Sequence, residues 1–384
     1  MVISIDQDHI AKTKPHGPML ITGAKGSGKT AIGLKRAAYL SENYCLEHND
    51  KILFINNSKS FAEHNSYLLE KVEKEKSKTL MDLIQARLSN VDISSIDGVV
   101  YQYYKKHCTL NNLSYEIYDE KNYYRDILHK GIDTLILQYP EVKYLDKNYE
   151  QFLLAEIEWI RACGYFEEQQ YQNADRIGLH DLDWEGPYKL NKNSKSRKAI
   201  FELMVYYSQG CKSKGKIDYV QANIMALNSI NDGNLEQYTH IIIDDCHEFT
   251  KIQLDLIIQL YNPKKHSSIT FLFEDNADCD PKSWLGNGRP FTTVGFDMTG
   301  RSKILHSGQK DSNKENLCID KRCKTNYDIS YREIVKPNQL FEYVMTLIEE
   351  NISEGDFSVV FKNGNTSLQI FKSQDLLMIR RNSE

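Results

Sequence analysis

Apolar residues in the first part of the chain come in short unbroken runs separated by longer stretches with helical spacing. One run goes from Met19 to Thr22 and ends at Gly23. From Lys29 to about Ser41, Ala31, Leu34 and Ala38 then share one face, the spacing of an amphipathic helix. The stretch from Ile52 to Ile55 is continuously apolar, as a strand buried on both faces requires. A long helix is expected after it, from about Ser60 to Lys76. The rhythm returns with a strand from Ile241 to Ile243, a helix from Lys251 to Leu260 and a strand from Ile269 to Phe273. Strand–helix–strand alternation predicts a parallel sheet covered by helices.

Between these parts the pattern is helical. In NYEQFLLAEIEWIRAC, Leu153, Ile157 and Ile160 recur at i, i+4 and i+7. A helical insertion over 113–228 is therefore expected to interrupt one α/β domain formed by 1–112 and 229–308. Residues 281–314 are rich in Gly, Ser and Asn and read as loops. Beyond them, a helix from Glu342 to Glu350 and a strand from Phe357 to Phe361 suggest a truncated second α/β domain over 309–384.

Composition narrows the class. With 384 residues, 41% hydrophobic and 26% charged, the chain is an ordinary globular one, which excludes collagen-like and wholly disordered proteins. No apolar run approaches the ~20 residues that span a bilayer, and the N-terminus lacks the apolar core of a secretory signal. The 8 cysteines are scattered, with no C-x-x-C pair, which argues against a zinc site. Reduced thiols in a reducing cytoplasm are the expectation. A net charge of -5 leaves any nucleic-acid binding to a local basic patch.

The clearest chemistry lies in Gly23-Ala24-Lys25-Gly26-Ser27-Gly28-Lys29-Thr30, which fits G-x-x-x-x-G-K-[ST] between a strand and a helix. Gly23, Gly26 and Gly28 let backbone N–H groups turn inward onto phosphate oxygens, with Ser27 in the same loop. Lys29 is expected to reach the β- and γ-phosphates of ATP, and the Thr30 hydroxyl to ligate Mg²⁺. Such a site also needs an acid at the end of a neighbouring strand. His240-Ile241-Ile242-Ile243-Asp244-Asp245 offers two: Asp244 to hold the metal through water and Asp245 to polarise the attacking water. Acids that merely terminate a strand are the bland alternative, which the phosphate loop outweighs.

Two basic clusters with aromatics suit a single strand, whose backbone follows charge and whose bases stack on rings. Lys189, Lys192, Lys195, Arg197, Lys198, Lys212, Lys214 and Lys216 surround Tyr206 and Tyr207, with only Glu202 opposing them in sequence. Tyr101, Tyr103, Tyr104, Lys105 and Lys106 form the second cluster. Solvated helix faces and core tyrosines are the competing explanation, since the chain has 24 tyrosines. The acids Glu274, Asp275, Asp278 and Asp280, with Asp244, Asp245 and Glu248, could suggest a two-metal nuclease, but their strand-end positions suit an ATPase better.

These segments, in this order, resemble the UvrD-type superfamily 1 DNA helicases and their HelD-like relatives. GAKGSGKTAIGLKRAAYL is similar to the first motif of that family, and KILFINNSKSFAEHNSYL to its next strand and single-strand-contacting loop, which includes Lys59. SSIDGVVYQYYKKH stands where a further nucleic-acid motif falls, FLLAEIEWIRACGYFEEQQY resembles the helical subdomain, and HIIIDDCHEFTKIQLDLI the second motif. ITFLFEDNADCD corresponds to the third motif, and GFDMTGRSKIL with LCIDKRCKTNYDI to the run into the fourth. The resemblance implies a RecA-like ATP-binding domain using ATP and Mg²⁺. It gives Gln7 to adenine and Arg322 to the γ-phosphate. Lys59, Tyr104, Lys105, Arg197, Lys198 and Trp284 go to single-stranded DNA.

Departures from the family pattern alter what is implied. The catalytic Glu is Asp245, one methylene shorter, and a displacement of ~1 Å can cost on the order of 10²-fold in rate. The phosphate-sensing Gln is His247, and the third-motif Gln is Asp278 (Ala277 if the alignment slips by one). The chain ends before the fifth and sixth motifs. The expectation is therefore a helicase-like ATPase of low turnover that does not unwind alone and works with a protein partner supplying the missing motor function. The alternative is a hydrolysis-deficient ATP-binding sensor or regulatory subunit, for example in a defence or toxin-linked complex. A P-loop small-molecule kinase is opposed by the insertion and by the family segments.

Overall fold

The structure, a computed structural model, describes residues 5–58, 62, 65–66, 90–118, 121–179, 186–187, 189–229, 236–305, 329–333, 357–361 and 367–372. The chain divides into two compact units, Met1–Lys310 and Asp311–Glu384. In the first, α1 (Ile5–Ala11), β1 (Gly17–Gly23), α2 (Lys29–Tyr44), β2 (Ile52–Asn56), β3 (Val91–Ser95) and α3 (Ile96–Leu110) come first. A mainly helical stretch follows: β4 (Glu116–Ile117), α4 (Lys121–Leu135), α5 (Glu150–Ala162), α6 (Glu168–Asn173), α7 (Lys195–Ser213), β5 (Lys216–Ile217) and α8 (Tyr219–Ser229). Then come β6 (His240–Ile243), α9 (Lys251–Gln259), β7 (Ser268–Glu274) and β8 (Ser302–Leu305). The second unit holds β9 (Ile329–Glu333), β10 (Phe357–Phe361) and β11 (Ser367–Lys372), antiparallel in the order β10-β11-β9.

The central sheet has six strands in the order β3-β2-β6-β7-β1-β8, and every pairing in it is parallel. The apolar runs that predicted strands are those buried on both faces: all of β2 and all of β6 are buried. Residues alternate between two cores with the period of a strand. Met19, Ile21, Ile52, Phe54, Ile242 and Leu272 face α1 and α2. Leu20, Leu53, Ile55, Ile241, Ile243 and Phe271 face the other way, in one continuous core with Leu128, Leu153, Trp159 and Tyr207 of the helical stretch. The helices inserted after α3 thus pack on the sheet rather than around a separate core.

Two strands escaped the sequence pattern. VDISS of β3 has no apolar run, and β8 lies inside the segment read as loops because three of its four residues are exposed. Strand β7 also separates β1 from β6, so the acid after β6 is two strands from the phosphate loop and not on the neighbouring strand. Helix α2 settles closely on the sheet because Gly33 has no side chain. A Cβ there would stand 2.6 Å from Leu272 Cδ1 and 3.1 Å from Phe54 Cε2. Of the helix expected over 60–76 only Ala62, Asn65 and Ser66 are described, all helical, and the one expected over 342–350 lies outside the described residues.

Within the helical stretch, Glu156 is fully buried and is held by Arg176 Nη2 at 2.6 Å, Arg176 Nε at 2.9 Å and the Tyr171 hydroxyl at 2.7 Å. Removing one member of a buried ion pair strands the other charge. Glu156→Ala should destabilise the protein by about 3–5 kcal/mol. Lys195→Ala, which breaks only the exposed pair with Glu141, should leave the unfolding midpoint in urea nearly unchanged.

Candidate nucleotide-binding site and basic surface

Parallel register brings the carboxyl ends of β1 and β7 side by side, with Gly23 opposite Glu274. The chain leaves β1 through the phosphate loop and enters α2 at Lys29. Gly28 caps that helix at φ 89°, a left-handed conformation that favours glycine. No side chain caps the helix and its first turn carries no acid, so its leading N–H groups are available to an anion. Gln7 reaches over from α1, its Nε2 donating to the Ser27 carbonyl at 3.0 Å. Lys29 is buried, its Nζ donating to the carbonyls of Gly23 (3.0 Å) and Ala24 (3.1 Å) and to Glu274 Oε2 (3.2 Å). Gly26 is exposed in the loop.

Asp244 directly follows β6 and is buried, with the Thr30 hydroxyl donating to its carboxylate. Burial first, and the Asp245 charge second, push its pKa up to about 7. Asp245 takes a left-handed conformation at φ 50°, uncommon for a residue with a side chain and costing of order 1–3 kcal/mol. Its pKa is raised, mainly by burial. His247 is buried and its Nδ1 accepts from the Glu274 N–H at 3.3 Å, so the neutral ring carries its proton on Nε2. Among the described residues, Ser27 Oγ and Asp244 Oδ1 are buried without a hydrogen-bond partner. Unpaired buried polar atoms cost ~1–3 kcal/mol each. A hydroxyl and a carboxylate left open beside Lys29 and a bare helix N-terminus fit a phosphate ligand and a hard, oxygen-seeking cation.

Residues 5–277 match the family model of the UvrD/REP helicase N-terminal domain. The chain belongs to the UvrD/REP helicase family. Its parallel sheet is the RecA-like P-loop domain of that family, and the protein is a superfamily 1 helicase-like nucleotide-binding protein. UvrD/REP helicases generally use ATP with Mg²⁺ and bind nucleic acid. The match stops at Ala277, before the segments at 295–305 and 317–329 that resemble the run into the fourth motif. No curated protein matches the chain. Among the described residues no helix is long and apolar enough to cross a membrane.

The structure thus gathers Gln7, Gly23, Ser27, Gly28, Lys29, Thr30, Asp244, Asp245 and His247 around one strand-end site. It places the expected nucleic-acid residues differently, and three of them are buried. Tyr104 is buried, its hydroxyl donating to the Tyr115 carbonyl at 2.7 Å. Arg197 is buried and donates to the carbonyls of Ala174 (2.8 Å) and Leu190 (3.0 Å), a core clamp and not a phosphate contact. Trp284 is buried, its Nε1 bound to Thr293 Oγ1 at 2.7 Å and its ring covered by the Arg289 guanidinium at 4.1 Å. No face of these three is open for a base or a backbone.

Lys105 and Lys198 are exposed, and Lys105 Nζ sits 5.3 Å from the centre of the exposed Tyr101 ring. Lys59 and Arg322 lie outside the described residues. The basic run from Lys189 to Lys216 is opposed in space by acids remote in sequence. Lys192 pairs with Asp175 at 2.5 Å, Lys195 with Glu141 at 2.6 Å and Lys216 with Glu116 at 3.9 Å. Tyr207 belongs to the core.

Glu274 joins the site through strand pairing, although the sequence carries a sign of it: ITFLF followed by Glu has the same form as HIII followed by Asp. Asp244 also makes the site sensitive to pH. Its folded carboxyl keeps a proton up to about 7, whereas the ordinary value is 3.8, so stability present at low pH is lost as pH rises across that interval. Ligand-free protein should melt at a lower temperature at pH 8 than at pH 5, and Asp244→Asn should narrow the difference in thermal unfolding.

Proposed function

We propose that the protein binds ATP with Mg²⁺ at the β1–α2 loop and hydrolyses it slowly, with single-stranded DNA as the stimulating partner. The observation that carries this reading is the pair of buried, unpartnered oxygens, Ser27 Oγ and Asp244 Oδ1, flanking Lys29. Lys29 and the N–H groups opening α2 would hold the phosphates, Thr30 and Asp244 the metal, and Gln7 the base. The ion, when bound, supplies charge neutralisation at the phosphate oxygens. Asp245 would accept the proton of the attacking water, and the His247 Nε2–H would donate toward the phosphate.

A second reading, an ATP-loaded sensor or regulatory subunit with negligible turnover, is favoured by Asp245. Its side chain is one methylene shorter than that of glutamate and its backbone is left-handed, so its carboxylate has less reach toward an attacking water than a well-placed glutamate. For DNA, the support is the exposed Lys105 beside Tyr101, together with Lys198.

ATP hydrolysis measured with and without single-stranded DNA separates the readings. DNA-stimulated turnover lost in Lys29→Ala supports the ATPase, and Asp245→Glu should raise the rate by up to about 10²-fold. ATP binding without turnover, until Asp245→Glu restores it, supports the sensor. No ATP binding at all would overturn both. For DNA, the affinity should fall steeply with salt, and Lys105→Ala should lower the log–log slope by about 0.7, the share of one phosphate contact. Affinity indifferent to salt would remove DNA from the proposal.

A further inference from the structure

Lys29 has no spare donor for a phosphate. An ammonium group has three N–H bonds, and here all three are engaged, with the carbonyls of Gly23 and Ala24 and with Glu274 Oε2 at 3.2 Å. The two side chains are only 5% and 19% exposed. Glu274 is there because β7 pairs with β1 so that it ends opposite Gly23, where the phosphate loop begins. Its backbone N–H is bound to His247 Nδ1, which fixes the strand end from the far side. Its charge also acts on Asp245, raising that pKa. A carboxylate and a phosphate present the same chemistry to an ammonium group, namely anionic oxygens at hydrogen-bond distance.

We propose that Glu274 is an internal stand-in for phosphate, a gate residue that occupies Lys29 until a nucleotide displaces it. The inference rests on the nucleotide-site reading above and adds its regulation. A ligand must bring phosphate oxygens strong enough to take Lys29 from Glu274, and it must then lie beside the displaced carboxylate. The gate therefore weakens every ligand that engages Lys29 through phosphate and leaves a phosphate-free nucleoside unaffected. A merely structural brace has the opposite sign, because loosening the loop would weaken nucleotide binding.

The test is titration of the purified chain with fluorescent analogues of ATP, ADP and adenosine in excess Mg²⁺. Wild type is compared with Glu274→Gln, Glu274→Asp and Lys29→Ala. Glu274→Gln should tighten ATP and ADP about 10-fold by removing one like charge beside an anionic ligand, with adenosine unchanged. Glu274→Asp, which draws the carboxylate back by one methylene, should fall between the two and decides the matter if the Gln variant does not fold. Unchanged or weaker ATP binding in the folded variants overturns the gate, as does equal tightening of adenosine. If Lys29→Ala abolishes ATP binding while Glu274→Gln leaves it unaltered, the gate alone fails. If wild type and Glu274→Gln both ignore ATP, the nucleotide-site reading fails with it.

Discussion

Strand β7 lies between β1 and β6, and its register on both sides decides where each charged group of the site ends up. Paired to β1, it sets Glu274 opposite Gly23; paired to β6, it sets Phe271 opposite Ile243. The phosphate loop, Glu274 and the acids after β6 therefore emerge together at the carboxyl edge, where an open parallel sheet places its ligands. Helix α2 extends that edge. Seated on Phe54 and Leu272 through Gly33, it holds its N-terminus over the strand ends.

One buried cation then faces several acids. Lys29 stands among Asp244, Asp245 and Glu274, and burial raises the pKa of both aspartates. A charge so far from water is tolerable only when paired and hydrogen-bonded, and Lys29 meets that condition through two carbonyls and one carboxylate. Asp244 meets it incompletely, since one of its oxygens has no partner. Without ligand, the site is in a compromise between desolvation and pairing, which a phosphate and a cation would each relieve on one side.

In the helical stretch the buried charge of Glu156 is paired inside the protein. Glu156, Arg176, Tyr171 and Arg197 form a buried network that ties α5, α6 and α7 together. Its packing on the sheet is continuous with the core behind β2 and β6. Lys105 with Tyr101 and the exposed lysines of α7 face solvent.

The sequence by itself determined the elements whose signal is local. Largely apolar runs identified β1, β2, β6 and β7 because strands covered on both faces are dominated by apolar residues. The phosphate loop was legible because a left-handed turn and close phosphate approach demand particular residues at fixed spacing. Strands β3 and β8 left no such trace, one lacking an apolar run and the other largely exposed. Only the tertiary structure decided which charges meet. Arg197 and Trp284 are indistinguishable from surface groups in a sequence, since their burial depends on carbonyls and rings brought from elsewhere. Glu274 becomes a partner of Lys29 for the same reason. The pairing of strands far apart in the chain, and not the spacing of residues along it, sets the distance between their charges.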